Sequence, residues 1–74
     1  MSFIYKDMEG YRSTRTESFT KGIPISIIYT NESVIKTNNS FPYIAKISGK
    51  WYIKCYTIAN YAGGTTVSII ILYV

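Results

Sequence analysis

Tyr43-Ile44-Ala45-Lys46-Ile47-Ser48-Gly49-Lys50-Trp51-Tyr52-Ile53-Lys54-Cys55-Tyr56-Thr57 holds two strands and the turn between them. β-Branched and aromatic residues fill both arms, and such side chains suit a pleated, half-buried surface. Ser48-Gly49-Lys50 separates the arms with turn residues, so the stretch reads as a β-hairpin. On the longer arm, taken to about Ala59, strand alternation groups Trp51, Ile53, Cys55, Thr57 and Ala59 on one face. Tyr52, Lys54, Tyr56 and Ile58 take the other. The first set reads as core, the second as an aromatic surface with a lysine in it.

Downstream, Ala62-Gly63-Gly64 breaks the run, and Thr65 to Val74 is the last strand. Val67, Ile69, Ile71 and Tyr73 share one of its faces; Ser68, Ile70, Leu72 and Val74 share the other. Beyond Ser68 both faces are apolar. A strand with one solvated face should alternate apolar and polar residues. This one is therefore expected to be central or at an interface, covered either by the N-terminal segment folding across it or by a second subunit. Left bare, it would invite association. Ile70, Leu72, Val74 and Tyr73 are the candidate interface residues.

Upstream the signal weakens. Ile23-Pro24-Ile25-Ser26-Ile27-Ile28-Tyr29-Thr30 is strand-like, with Ile23, Ile25, Ile27 and Tyr29 on one face. Pro24 lacks an N–H and belongs at a strand start or on an edge. Asn31-Glu32 reads as a tight turn into a strand from Ser33 to Thr37, giving a second hairpin. Asn38-Asn39-Ser40-Phe41-Pro42 is a loop by its residue types. Phe3 to Lys6 and Tyr11 to Phe19 read as short strands around a Glu9-Gly10 turn, though neither face of the second demands burial. Residues 1–20 are thus an arm or an edge hairpin of a single β domain spanning 1–74.

Composition bounds what this domain can be. Its 74 residues sit near the lower limit for a self-supporting core, because short chains bury only roughly 60% of the surface they expose when unfolded. Disulfides, a metal or partner subunits often make up the deficit. The one cysteine, Cys55, excludes an internal disulfide, and the lack of histidine excludes a Cys/His zinc site. An efficient β core or self-association is left, and an oligomer is expected. Ala45, Ala59, Ala62 and Leu72 are the only alanines and leucine, so little helix is expected. The fold class expected is all-β, a small antiparallel sandwich or barrel of roughly five to seven short strands.

The net charge of +4 is unevenly placed. Residues 1–32 hold all four acids (Asp7, Glu9, Glu17, Glu32) with four bases, whereas 33–74 hold Lys36, Lys46, Lys50 and Lys54 and no acid. An acid-free half suits an anionic partner, although lysines on strands also guard against edge pairing. Lys6, Asp7 and Glu9 stand where a leader needs apolar residues, so no signal peptide is expected. Val67 to Val74 is too short to cross a bilayer as a helix, so no transmembrane segment is expected either. An intracellular or virion-borne protein follows from this reading.

Catalysis is not expected. Histidine is absent, and no Ser/His/Asp or Cys/His set can be assembled. Asp7 and Glu9 before a glycine read as a turn, and Cys55 among apolar neighbours reads as a buried thiol acting as a small hydrophobe. Gly63-Gly64-Thr65-Thr66 lacks the spacing and lysine of a phosphate-binding loop and reads as a hairpin loop. No cofactor or metal is expected. Lys50-Trp51-Tyr52-Ile53-Lys54-Cys55-Tyr56 is the remaining motif, since exposed rings beside basic groups hold single-stranded nucleic acid by stacking. Lys50, Trp51, Tyr52, Lys54 and Tyr56 are its candidate residues, with Lys46 on the adjacent strand. Cross-strand aromatic packing or a protein interface gives the same pattern.

Two functions are carried forward. The first is a non-catalytic assembly or protein-interaction protein, self-associating through its C-terminal strand, of a size that suits a viral or phage structural component. The second is a small β-barrel that binds single-stranded nucleic acid on its Tyr/Trp/Lys face.

Overall fold

The computed structural model describes residues 1–10, 12–57 and 66–74. In chain order they form β1 (Ser2–Met8), β2 (Ser13–Ser18), β3 (Pro24–Tyr29), α1 (Glu32–Thr37), β4 (Tyr43–Ile47), β5 (Lys50–Thr57) and β6 (Val67–Tyr73). The strands make two three-stranded antiparallel sheets, ordered β1-β6-β3 and β2-β5-β4. The expected small all-β class is the one observed, and β6 is a central strand.

Each sheet is organised by its middle strand. Val67, Ile69 and Ile71 of β6 and Ile53 and Cys55 of β5 are buried, and with Met8, Phe19 and Ile35 they form the core. Ile4, Ile27, Tyr29, Ile44, Trp51 and Tyr73 pack around it. The Tyr43–Thr57 hairpin forms, but Lys50, expected in the turn, opens β5 opposite Ile47. Its turn residues Ser48 and Gly49 have φ of 51° and 77°. Two positive φ values give a turn whose twist matches that of the flanking strands.

Three further expectations are corrected. Residues 32–37 are a helix, not the second arm of a hairpin. Only Val34 and Ile35 are apolar there, they are adjacent, and only Ile35 is buried. Helical ends also satisfy the local backbone well. The Asn31 carbonyl accepts from the Val34 and Ile35 amides at 3.1 and 3.2 Å, starting the first turn. At the other end Asn39 takes a φ of 52°. The Ser40 amide then reaches the Ile35 carbonyl at 3.0 Å and the Asn39 amide the Lys36 carbonyl at 3.2 Å. That pair of bonds is a Schellman stop, and asparagine tolerates the left-handed position it needs. Lys36 and Glu32 pair at 3.0 Å along the exposed side.

Secondly, β1 and β2 are neither an arm nor a hairpin. β1 runs antiparallel to β6, from Ser2 opposite Tyr73 to Met8 opposite Val67. β2 runs antiparallel to β5, from Ser13 opposite Thr57 to Ser18 opposite Tyr52. The chain changes sheets between them, so residues 1–20 supply one edge strand to each layer. β1 widens the first sheet and β2 the second, and neither folds over the outer face of β6.

Thirdly, Ile23 and Ile25 leave the core face, 52% and 47% exposed. The register shifts between Pro24 and Ser26, so Pro24 stands opposite Tyr73 and Ser26 opposite Leu72. Pro24 cannot donate to the ladder, and the extra residue at Ile25 forms a bulge there. Past the bulge, Ile27 and Tyr29 resume the core-facing phase.

Candidate functional site

Each sheet has one face in the core and one outside. On the outer face of the second sheet the register lays out three columns. Lys50, Tyr52, Lys54 and Tyr56 run down the centre on β5. Ile47, Ala45 and Tyr43 stand beside the first three on β4. Ser18, Thr16 and Thr14 stand beside the last three on β2. Tyr43 and Tyr56 are 52% and 43% exposed, while Tyr52 and Lys54 are half-buried by their neighbours. No acid occupies these strand positions.

Four of the five residues expected to bind nucleic acid therefore share one surface. Trp51 does not. It lies on the core side of β5, opposite Lys46, whose Nζ sits 5.1 Å from the indole centre. Tyr43 joins the set although the motif omitted it. Read from sequence, Lys50 belongs to the turn; the turn that forms uses only Ser48 and Gly49, and this register sets Tyr43 opposite Lys54.

The outer face of the first sheet is of another kind. Phe3 stands beside Leu72 and Ser26 in one row, and Tyr5 beside Ile70 and Ile28 in the next. Phe3, Tyr5 and Ile28 are 71%, 57% and 47% exposed. The third row is polar. The Ser68 hydroxyl donates to Asp7 Oδ1 at 2.8 Å, and the Thr30 hydroxyl donates to the Ser68 carbonyl, also at 2.8 Å. Of the four expected interface residues, Ile70 and Leu72 lie on this face and Val74 lies exposed at its margin. Tyr73 belongs to the opposite side, because strand alternation turns it inward, where its ring meets Phe19 edge-on at 5.4 Å. Phe3, Tyr5 and Ile28 come from strands paired with β6 across the sheet, and β6 alone could not reveal them.

Cys55 is buried, as read, with its Sγ 3.7 Å from Met8 Sδ on the facing sheet. Burial pushes its thiol up from 9.0 to about 11; the nearby Glu17 charge adds to the rise and Arg15 opposes it. The thiolate is the nucleophile that attacks a disulfide reagent and expels its other half as a thiolate, so such a reagent is expected to label the folded chain far more slowly than the urea-unfolded one. Equal rates would show that the thiol is accessible. The sign of the pH effect follows from the raised value. Stability from the neutral buried thiol is complete below pH 9 and is lost as pH rises towards about 11. The gap in urea midpoint between wild type and Cys55→Ala should narrow across that range.

Among the described residues, no three His, Cys, Asp or Glu side chains gather as a metal site, and no helix is long and apolar enough to cross a membrane. The expected loop at Gly63-Gly64-Thr65 and the strand positions of Ile58 and Ala59 lie outside the described residues. No protein-family model, curated protein or solved structure matches this chain.

Proposed function

We propose that this chain is a non-catalytic assembly protein that self-associates through the outer face of its β1-β6-β3 sheet. The observation that carries the proposal is the pair of adjoining rows, Tyr5–Ile70–Ile28 and Phe3–Leu72–Ser26, in which Phe3, Tyr5 and Ile28 are exposed around the half-buried Ile70 and Leu72. Contiguous apolar patches of this kind are uncommon on monomers and mark interaction surfaces.

A second copy is the partner that the chemistry favours. Asp7 is the only charged residue in the three rows, and it already accepts the Ser68 hydroxyl. The face thus offers little to select a charged partner and much to match another apolar sheet. Two copies related by a two-fold axis present the same patch to each other, and stacked sheets pack about 10 Å apart in this manner. A core of this size also gains from the added burial. A subunit of a virion or another multi-copy structure is the role that suits such a face.

Sedimentation equilibrium at moderate salt, on wild type and on Leu72→Asp and Phe3→Ser, tests the proposal. The wild type is expected as a defined multimer of the 8.4 kDa chain. Leu72→Asp should weaken association at least about thirtyfold, as loss of a central contact does, and Phe3→Ser, at the margin of the patch, should weaken it less. Phe3 lies on an edge strand and is mostly exposed, so its change spares the fold. A monomeric wild type, or variants of unchanged mass, would end the proposal.

A further inference from the structure

The second sheet's outer face carries a separate inference, independent of self-association through the first. We infer that this face, with the groove at its hairpin end, is a binding platform for single-stranded nucleic acid. Bases stack on Tyr52, Tyr56 and Tyr43, and phosphates lie against Lys50 and Lys54.

Lys54 is the residue that argues most strongly for a ligand. Lysines on β proteins commonly protect sheet edges, but β5 is the middle strand of its sheet and has no edge to protect. Lys54 stands between Thr16 and Tyr43, with Tyr52 and Tyr56 two residues away on the same face. The two ion pairs among the described residues use Lys6 with Glu17 and Lys36 with Glu32. Asp7 and Glu9, the other two acids, are hydrogen-bonded to Ser68 and Thr66 on the first sheet's side. Lys54 thus stands on a central strand, with aromatic and hydroxyl residues at the neighbouring positions of its face and no carboxylate there. An anion is the complement to that arrangement.

The spacing suits a short oligonucleotide. Lys50 to Tyr56 spans about 20 Å at the usual strand rise, which matches the low end of the 4–16 nucleotides that small barrels hold. Beyond Lys50 the face opens into a groove of about 500 Å³ between Ser18–Thr20 and Gly49–Tyr52. Trp51 borders that groove, so a terminal base can reach the indole although Trp51 faces away from the tyrosines. Hydroxyls from Thr14, Thr16 and Ser18 line the opposite flank and supply donors to phosphate or sugar oxygens.

Fluorescence anisotropy of the intact chain with a labelled oligothymidine, about ten nucleotides long, tests this inference. Saturable binding at low salt is expected, with log K falling against log salt at a slope near −1.4 for two phosphate contacts. Tyr56→Leu keeps apolar bulk and removes the stacking ring, so it should weaken binding by about five- to 150-fold while the fold is retained. Lys54→Gln should lower the slope by about 0.7. An abasic strand of equal length should bind more weakly than oligothymidine by a similar factor. Absence of binding at low salt overturns the inference. So does equal affinity for the abasic strand, which would mean a generic polyanion site. Binding to anionic lipid vesicles that oligothymidine fails to displace would overturn it in favour of a membrane.

Discussion

Ile69→Ala is expected to cost about 2–5 kcal/mol of unfolding free energy, the usual range for truncating a buried isoleucine. A chain of 74 residues holds on the order of 4–11 kcal/mol in total at typical stability per residue. A single substitution would therefore remove a large share of it. Ile69 is fully buried in the middle of β6, with Lys6 on one flank and Tyr29 on the other. Hydrogen-bonded strands on both sides fix its backbone, so the site cannot collapse to fill the space. Urea denaturation reads the loss as a lower midpoint with an unchanged slope. Ile70→Ala is the matched control, because Ile70 is the next residue and faces the other way. Its cost should be smaller and should depend on protein concentration if that face is an interface. A concentration-independent loss at Ile70 as large as that at Ile69 would contradict the assignment of inner and outer faces.

Gly22→Ala has the next largest expected effect, by a different mechanism. A Cβ on Gly22 would lie 2.4 Å from the Val74 carbonyl oxygen and 3.1 Å from Tyr73 Cδ2. The first neighbour is backbone and cannot rotate away. Relief requires the start of β3 to part from the end of β6. There the Ile23 amide donates to the Val74 carbonyl at 2.8 Å, and the Val74 amide to the Ile23 carbonyl at 3.0 Å. Overpacking of this sort costs about 1–3 kcal/mol. Amide hydrogen exchange should show Ile23 and Val74 opening while Ile53 and Ile69 remain protected. Unchanged protection at Ile23 and Val74 would mean that the loop absorbs the methyl group.

How far the sequence carried the fold depends on the range of each signal. The β4–β5 hairpin was legible because its turn and both arms are contiguous, although its register was not, since Lys50 reads as a turn residue and in fact pairs with Ile47. The doubly apolar pattern of β6 correctly marked a central strand. Its partners were not legible, since β1 lies more than half the chain away and nothing local in Phe3 or Tyr5 announces Leu72 or Ile70. The helix at 32–37 was misread for a related reason. Val34-Ile35 fits either structure, and the choice is set partly by Asn31, whose side chain donates to the Thr66 carbonyl at 2.7 Å and accepts from the Ser68 amide at 3.0 Å. Those contacts tie the end of β3 to β6 and leave the next residues to turn away. The candidate sites divide in the same way. Tyr52, Lys54 and Tyr56 follow from alternation on one strand, whereas the Phe3–Tyr5–Ile28 half of the apolar face needs the assembled sheet.

Both middle strands come late in the chain, and their edge partners β1, β2 and β3 come early. During synthesis, which proceeds at about 5–20 residues per second, those three strands emerge with nothing to pair against. Only the β4–β5 hairpin can close from neighbouring sequence, so it is the natural nucleus, with β2 joining it across a gap of some thirty residues or more. The first sheet must wait for β6, and its outermost pair joins Ser2 to Tyr73. Contacts of such long range make for slow folding. Until they form, Phe3, Tyr5 and the isoleucines of β3 are exposed on nascent chains, so a polysome concentrates the same segments before any finished subunit exists.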